Sequence, residues 1–213
     1  MTRFARGSVG PDQGWLAIAV RARFPKLVAA LGDSLFETLL ANFVEREPAA
    51  KTSLAEMHER LPEYLTRCAT YPVWYGELAA LDRAHIRVLN ARVCQPLVRG
   101  QLTPDRELRM TAAHATVQLT TTVDDLWHAL DDAAAMCQRA KVRKPRSLDW
   151  PRTVLVWRRA RGEIERRTID PDEVTALRAA ARGSSLVELS AGLSHGRALD
   201  IVLRWIDDGV LAA

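Results

Sequence analysis

The sequence predicts an α+β protein, mainly α, in which an N-terminal helical domain (1–140) is followed by a basic connector (141–152) and a small winged-helix-like domain (153–213) with a β-hairpin and about three helices. Three observations carry that prediction. Apolar residues recur at helical spacing from Gly14 to about Ala140. The pattern then changes at Thr153 to β-branched and aromatic residues, turned by Arg161-Gly162 and returned by an alternating run to Ile169. Behind that hairpin lie helix-start signals, beginning with Asp170-Pro171-Asp172-Glu173.

In the helical domain, Phe24-Pro25 and Gly32 bracket a short helix, Lys26 to Leu31. The next places Leu35, Phe36, Leu39, Leu40 and Phe43 on one face, capped by Asp33 or Ser34 and closed by Pro48. Thr52 or Ser53 caps a helix through Met57 and Leu61, with Glu56 in the capping-box position from Ser53. Pro62 is expected to end it or to open a new first turn. After Tyr71-Pro72, a long helix from Val73 to about Arg92 carries Leu78, Leu81, His85 and Leu89 on one stripe. A segment starting at Thr103-Pro104-Asp105 runs through Leu108, Met110 and Val117, its Ala115–Thr122 part β-branched enough to be extended. Helix resumes from Asp124 to about Arg139.

In the small domain, Thr153–Arg159 and Glu163–Ile169 are the two strands. Helices follow from Pro171 to Ala181, from Leu186 to Leu193 and from His195 to Asp208, and Gly209–Leu211 closes as a short strand. Trp157, by strand alternation, and Trp205, beside Ile201 and Val202, are expected in the core of this domain. Trp74, with its neighbour Tyr75, and Trp150 flank prolines in turns, which leaves them as candidates for partner contact.

Composition narrows the function. The 213 residues are 48% hydrophobic and 26% charged, a globular balance, and no apolar run approaches the ~18–20 residues needed to cross a bilayer. The first residues show no apolar core or cleavage site of a signal peptide, so a cytoplasmic protein without membrane contact is expected. Cys68, Cys94 and Cys137 are odd in number and widely spaced, which fits reduced thiols rather than a disulfide framework. The glycine-rich phosphate loops, the H-E-x-x-H zinc motif and the G-x-S-x-G elbow are absent. Asp82 and His85, three apart on a helix, are compatible with a metal or acid/base pair but lack a third convergent ligand, so packing is the better account of His85. No catalytic residue, metal ligand or cofactor is therefore assigned to this chain.

Charge is the strongest remaining signal. Between Arg139 and Arg167 stand eleven basic residues against the three acids Asp149, Glu163 and Glu165, and the rest of the chain is net acidic. Three readings stay open for this stretch: a solvated connector, nucleic-acid contact, or docking of an acidic protein or peptide. A helix-turn-helix reader would place His195–Asp208 in the major groove. That helix holds Arg197 and Arg204 against Asp200, Asp207 and Asp208, so nucleic acid is an unfavourable partner for it.

The order of several motifs resembles a known family. Phe24-Pro25, Leu31-Gly32-Asp33-Ser34-Leu35-Phe36, Leu39-Leu40 and Phe43 look like the N-terminal domain of the HvfC/BufC/MbnC-like proteins. Leu61-Pro62-Glu63-Tyr64-Leu65, Pro72 and Glu77–Asp82 continue the likeness. Val154–Arg158, Ile169, Glu173, Leu177, Gly183, Leu186, Leu189 and Trp205 are similar to its second half. The family was first labelled a DNA-binding domain, and its better-understood members, including the methanobactin-pathway partner, are non-catalytic companions of multinuclear non-haem iron oxidases that modify ribosomally made peptides. The resemblance implies a heterodimer in which this chain grips the oxidase and presents the precursor's leader peptide, with the iron held by the oxidase. The alternative is a winged-helix DNA-binding regulator.

Physics suggests how a leader would be held. A hairpin with an open edge presents unpaired backbone groups to which an extended peptide can add as a strand. The candidate peptide-binding residues are Val154, Val156, Trp157 and Ile164 on the strands, with Arg158, Arg159, Arg161, Arg166 and Arg167 steering an acidic leader.

Overall fold

The computed structural model describes residues 11–47, 53–92, 94–159 and 161–213, with side chains from Ala17 onward. Pro48 and Thr52, expected at a helix end and a helix cap, lie outside the described residues. The protein is α+β with small antiparallel sheets. It divides into two compact units that are each discontinuous in sequence: Met1–Arg83 with Thr121–Arg146, and Ala84–Thr120 with Ser147–Ala213. The expected boundaries at 140 and 152 were contiguous; the observed division instead falls inside one long helix and again at Thr121.

The first unit is helical. α1 (Pro11–Arg23), α2 (Pro25–Leu31) and α3 (Asp33–Arg46) follow one another closely. Proline at the first position of α2 loses no helical hydrogen bond. Gly32, at φ +77°, lets α2 and α3 meet at a bend of 116°, and a Cβ there would stand 2.8 Å from the Arg139 side chain. Gly32 is also the N-cap of α3, with no side-chain cap, so neither Asp33 nor Ser34 does the capping expected of them. Phe36, Leu39, Leu40 and Phe43 are buried as predicted, while Leu35 falls on the exposed side.

α4 (Leu54–Arg67) corrects the reading of Pro62. Ser53 caps the helix by accepting the Glu56 N–H at 3.1 Å, and the helix passes through Pro62 without ending. A mid-helix proline costs about 3 kcal/mol. Burial of Leu61, Pro62, Tyr64 and Leu65 on one face offsets it. α5 (Val73–Asn90) follows, with Leu78, Leu81, Ala84 and Val88 buried. Leu89, expected on that stripe, is exposed, because the 3.6-residue period carries the stripe to Val88 instead.

The predicted 124–139 helix is broken into a 3-10 turn (Val123–Asp125), α6 (Leu126–Ala129) and α7 (Asp131–Ala135). Within the unit, Lys26 accounts for part of that break. Its buried Nζ donates to the Trp127 carbonyl at 2.8 Å and to the Asp131 carboxylate, lies 4.5 Å from the Trp127 ring, and so ties both short helices to α2.

The second unit holds the strands. Thr103–Met110 is not helical: it forms turns and β1 (Arg109–Met110). β2 (His114–Thr121) is extended as its β-branched content suggested, with Val117, Leu119 and Thr121 buried and alternate residues exposed. β3 (Ser147–Arg158) begins six residues before the expected strand, so the second half of the predicted connector is strand. β4 (Ile164–Ile169), α8 (Pro171–Ala180), α9 (Leu186–Gly192) and α10 (His195–Asp208) follow close to the expected bounds. β5 (Leu211–Ala212) pairs antiparallel with β1, one residue beyond the predicted closing strand. One core cluster joins Leu155, Trp157 and Ile169 of the sheet to Ala176, Leu177, Leu189, Ile201, Val202 and Trp205 of the helices. Trp157 and Trp205 are thus core residues, as expected.

Candidate peptide-binding edge

Hydrogen-bond parity in the hairpin defines which backbone groups are available. Thr153 to Arg158 pair with Ile169 to Ile164, and the Arg159 N–H donates to the Glu163 carbonyl at 2.8 Å. Odd-numbered residues of β3 therefore bond to β4, and even-numbered ones turn the other way; the Arg158 N–H donates at 3.0 Å to Ala113, next to β2. The next odd pair in register would be Pro151 and Pro171, neither of which has an N–H. That chemistry is sufficient reason for the ladder to stop at Thr153.

The sheet order is β2-β3-β4, which changes the capture geometry. β3 is the central strand, not one side of an isolated two-stranded element, so over the paired stretch no edge is open along Val154–Trp157. β4 lies at the sheet edge, and its even residues Ile164, Arg166 and Thr168 direct their backbone N–H and C=O away from β3.

The side chains sort accordingly. Val154, Val156 and Trp157 are 3% exposed or less and serve packing. Ile164 and Arg166 are half-buried on the edge strand. Arg158 turns to the C-terminal end of α5, donating from Nη1 to the Leu89 carbonyl and from Nη2 to the Ala91 carbonyl at 2.5 Å, where a cation satisfies orphan carbonyls. Arg167 is held inside the unit by Glu173 and Asp208 and lies 5.8 Å from the Trp157 ring. Arg159 and Arg161, at the hairpin tip, are exposed. They line a groove of about 590 Å³ that also takes in Leu97, Arg99, Ile206 and Asp207.

The aromatic candidates separate sharply. Trp74 is 7% exposed and meets half-buried Tyr75 edge-on at 4.4 Å, so its ring is a packing element. Trp150 is 83% exposed on the part of β3 beyond the reach of β4.

Other sequence candidates take structural roles. Asp82 accepts the Leu27 N–H at 3.0 Å and the Lys26 N–H at 3.4 Å, so its carboxylate caps α2 rather than forming a pair with His85. Both arginines of α10 face acids, Arg197 on Asp170 and Asp172 and Arg204 on Glu173, which leaves that helix poorly equipped to meet phosphate. Lys141, Arg143, Lys144 and Arg146 of the first unit are exposed. Among the described residues, no group of three or more His, Cys, Asp or Glu is placed to hold a metal, and no helix is by itself long and apolar enough to cross a membrane.

Sequence reasoning missed Glu173. An acid in the first turn of a helix normally faces water; this one is fully buried and receives Arg167, Arg204 and the Trp205 Nε1–H at 2.8 Å. Nothing in the local pattern distinguishes it, since its partners are 6 to 32 residues away. No known family model matches this chain, and no curated protein is significantly similar to it in sequence.

Proposed function

We propose that this chain is a non-catalytic partner subunit of a multinuclear non-haem iron oxidase, binding the oxidase and the leader of a ribosomally made precursor peptide in the cytoplasm. The observation that carries the peptide half is the edge of β4. Its outward backbone groups at Ile164, Arg166 and Thr168 suit addition of an extended strand, and the exposed Arg159 and Arg161 at the adjoining hairpin tip suit an acidic one. The oxidase half rests on the family resemblance, with iron belonging to the partner, and Trp150 is the aromatic candidate for contact with it. The β-β-α-α-α order of β3 to α10 supports a winged-helix-like description of the C-terminal module.

The test is affinity purification of the tagged chain from its native cell at moderate salt, with mass spectrometry and iron analysis of the eluate. The reading expects a stoichiometric iron-bearing protein together with a short ribosomal peptide. Thr168→Pro removes one outward N–H from an exposed edge position and spares the β3 ladder, so it is expected to lose the peptide and keep the oxidase. Recovery of DNA that washes off at higher salt, with no protein partner, would replace this reading with the regulator.

A further inference from the structure

We propose that a small cavity at the base of the β3–β4 hairpin binds a carboxylate group. The cavity is about 130 Å³, lies entirely in the second unit, and has Arg158, Arg159, Thr111 and Cys94 in its wall, with no aspartate or glutamate among its lining residues. This inference does not depend on the peptide reading above.

Three features point to a small anion. Arg158 spends its Nη1 and Nη2 hydrogen bonds on neutral carbonyls, those of Leu89 and Ala91, which fix the guanidinium without cancelling its charge. Arg159 has its Nε 3.6 Å from a Glu165 carboxylate oxygen, beyond hydrogen-bond distance, so its donors are unspent on that neighbour. Thr111 is 95% buried and its hydroxyl has no hydrogen-bond partner, although its N–H donates to Val210 at 2.8 Å and its carbonyl lies 2.5 Å from His114 Nδ1. Buried hydroxyls are ordinarily satisfied, and an orphan beside two guanidinium groups marks the place of an absent acceptor.

The chemistry selects among anions. A planar carboxylate matches the guanidinium fork and has two oxygens, one for Arg159 and one for the Thr111 hydroxyl. A dianionic phosphate would add repulsion from Glu165. The carboxylate comes either from a free small acid or from an acidic side chain of a bound peptide.

Nuclear magnetic resonance on the full chain distinguishes these outcomes, with sodium acetate as the probe and sodium chloride at equal ionic strength as the reference. Saturable shifts of the Arg159 Nε–Hε and the Gly162 amide are expected with acetate alone. Affinity should fall by at least about tenfold in Arg159→Gln and in Thr111→Val. The second variant removes no existing hydrogen bond, so its fold is expected to persist. Linear shifts shared with chloride, or saturation indifferent to both substitutions, would overturn the site. If acetate saturates, a blocked pentapeptide with a central Glu is compared with its Gln counterpart. Tighter binding of the Glu peptide, displaced by acetate, assigns the carboxylate to a side chain; equal binding of the two assigns it to a free acid.

Discussion

Arg167 and Glu173 form a two-point ion pair, Nη1 to Oε2 at 2.7 Å and Nη2 to Oε1 at 2.5 Å, with Glu173 wholly inaccessible to solvent. Asp208 stands 3.1 Å from the same guanidinium, and Trp205 donates to the same carboxylate. The pair stitches β4, α8 and α10 together inside the second unit, and an arginine suited by sequence to meet a peptide is spent on the fold.

Removing one partner strands the other. Arg167→Met is expected to destabilise the second unit by about 3–5 kcal/mol, the cost of leaving a buried charge without its main counter-ion. Chemical denaturation of wild type and variant measures it. The double variant with Glu173→Gln should recover part of the loss, and an additive double-mutant cycle would count against the coupling.

Arg158 makes a different prediction. Because it satisfies the Leu89 and Ala91 carbonyls, Arg158→Ala is expected to fray the last turn of α5 and to cost about 1–3 kcal/mol. Hydrogen exchange should quicken at Val88 to Asn90 and not in α8. A charge reversal designed to test peptide steering therefore belongs at Arg159 and Arg161. If Arg159→Glu with Arg161→Glu left leader affinity unchanged at low salt, the electrostatic part of the peptide reading would fail.

In the first unit, α4 and α5 approach most closely at Gly76. A Cβ there would meet the Thr66 hydroxyl at 2.3 Å, the Thr66 nitrogen at 2.7 Å and the Pro62 carbonyl at 2.9 Å. Two of these are backbone atoms, which cannot swing aside. Gly76→Ala is expected to lower stability by about 1–3 kcal/mol through overpacking, despite the better helix propensity of alanine. Thermal unfolding at or above the wild-type midpoint would contradict that packing.

Asp82 gives the protein a pH dependence of known sign. Burial pushes its carboxyl up to about 8 from an ordinary 3.8, against the opposing pull of the Leu27 and Lys26 N–H groups and the Lys26 charge. The folded state then binds more protons than the unfolded state between those values. This contribution is fully present below about pH 4 and is lost as pH rises through about 8, on the order of a few kcal/mol. Asp82→Asn cannot ionise, so the difference between wild type and variant should shrink or reverse toward alkaline pH. Urea denaturation at about pH 5, 7 and 9 checks it, and parallel curves would contradict it.

Much of the fold was legible because its signals are local. The Ser53 cap, the Asp170-Pro171 helix start, the Arg161-Gly162 turn and the buried faces of α3 and α10 depend on residues within a few positions of one another. Pro62 misled because a proline reads locally as a stop, whereas burial of its neighbours on both sides keeps α4 intact. The continuous period over 124–139 misled in the opposite direction, since Lys26, about a hundred residues earlier, holds Trp127 and Asp131 in separate short helices.

The sequence by itself determined the helical and strand inventory, the hairpin with its basic tip and the core places of Trp157 and Trp205, because periodicity and turn chemistry are properties of neighbouring residues. Tertiary structure alone decided that β3 is central and β4 the edge, that Arg158 and Arg167 are occupied while Arg159 and Arg161 are exposed, and that Glu173 is buried. Those outcomes depend on strand order and on partners far away in the chain, and hydrogen bonding and charge pairing act through space without leaving a local pattern.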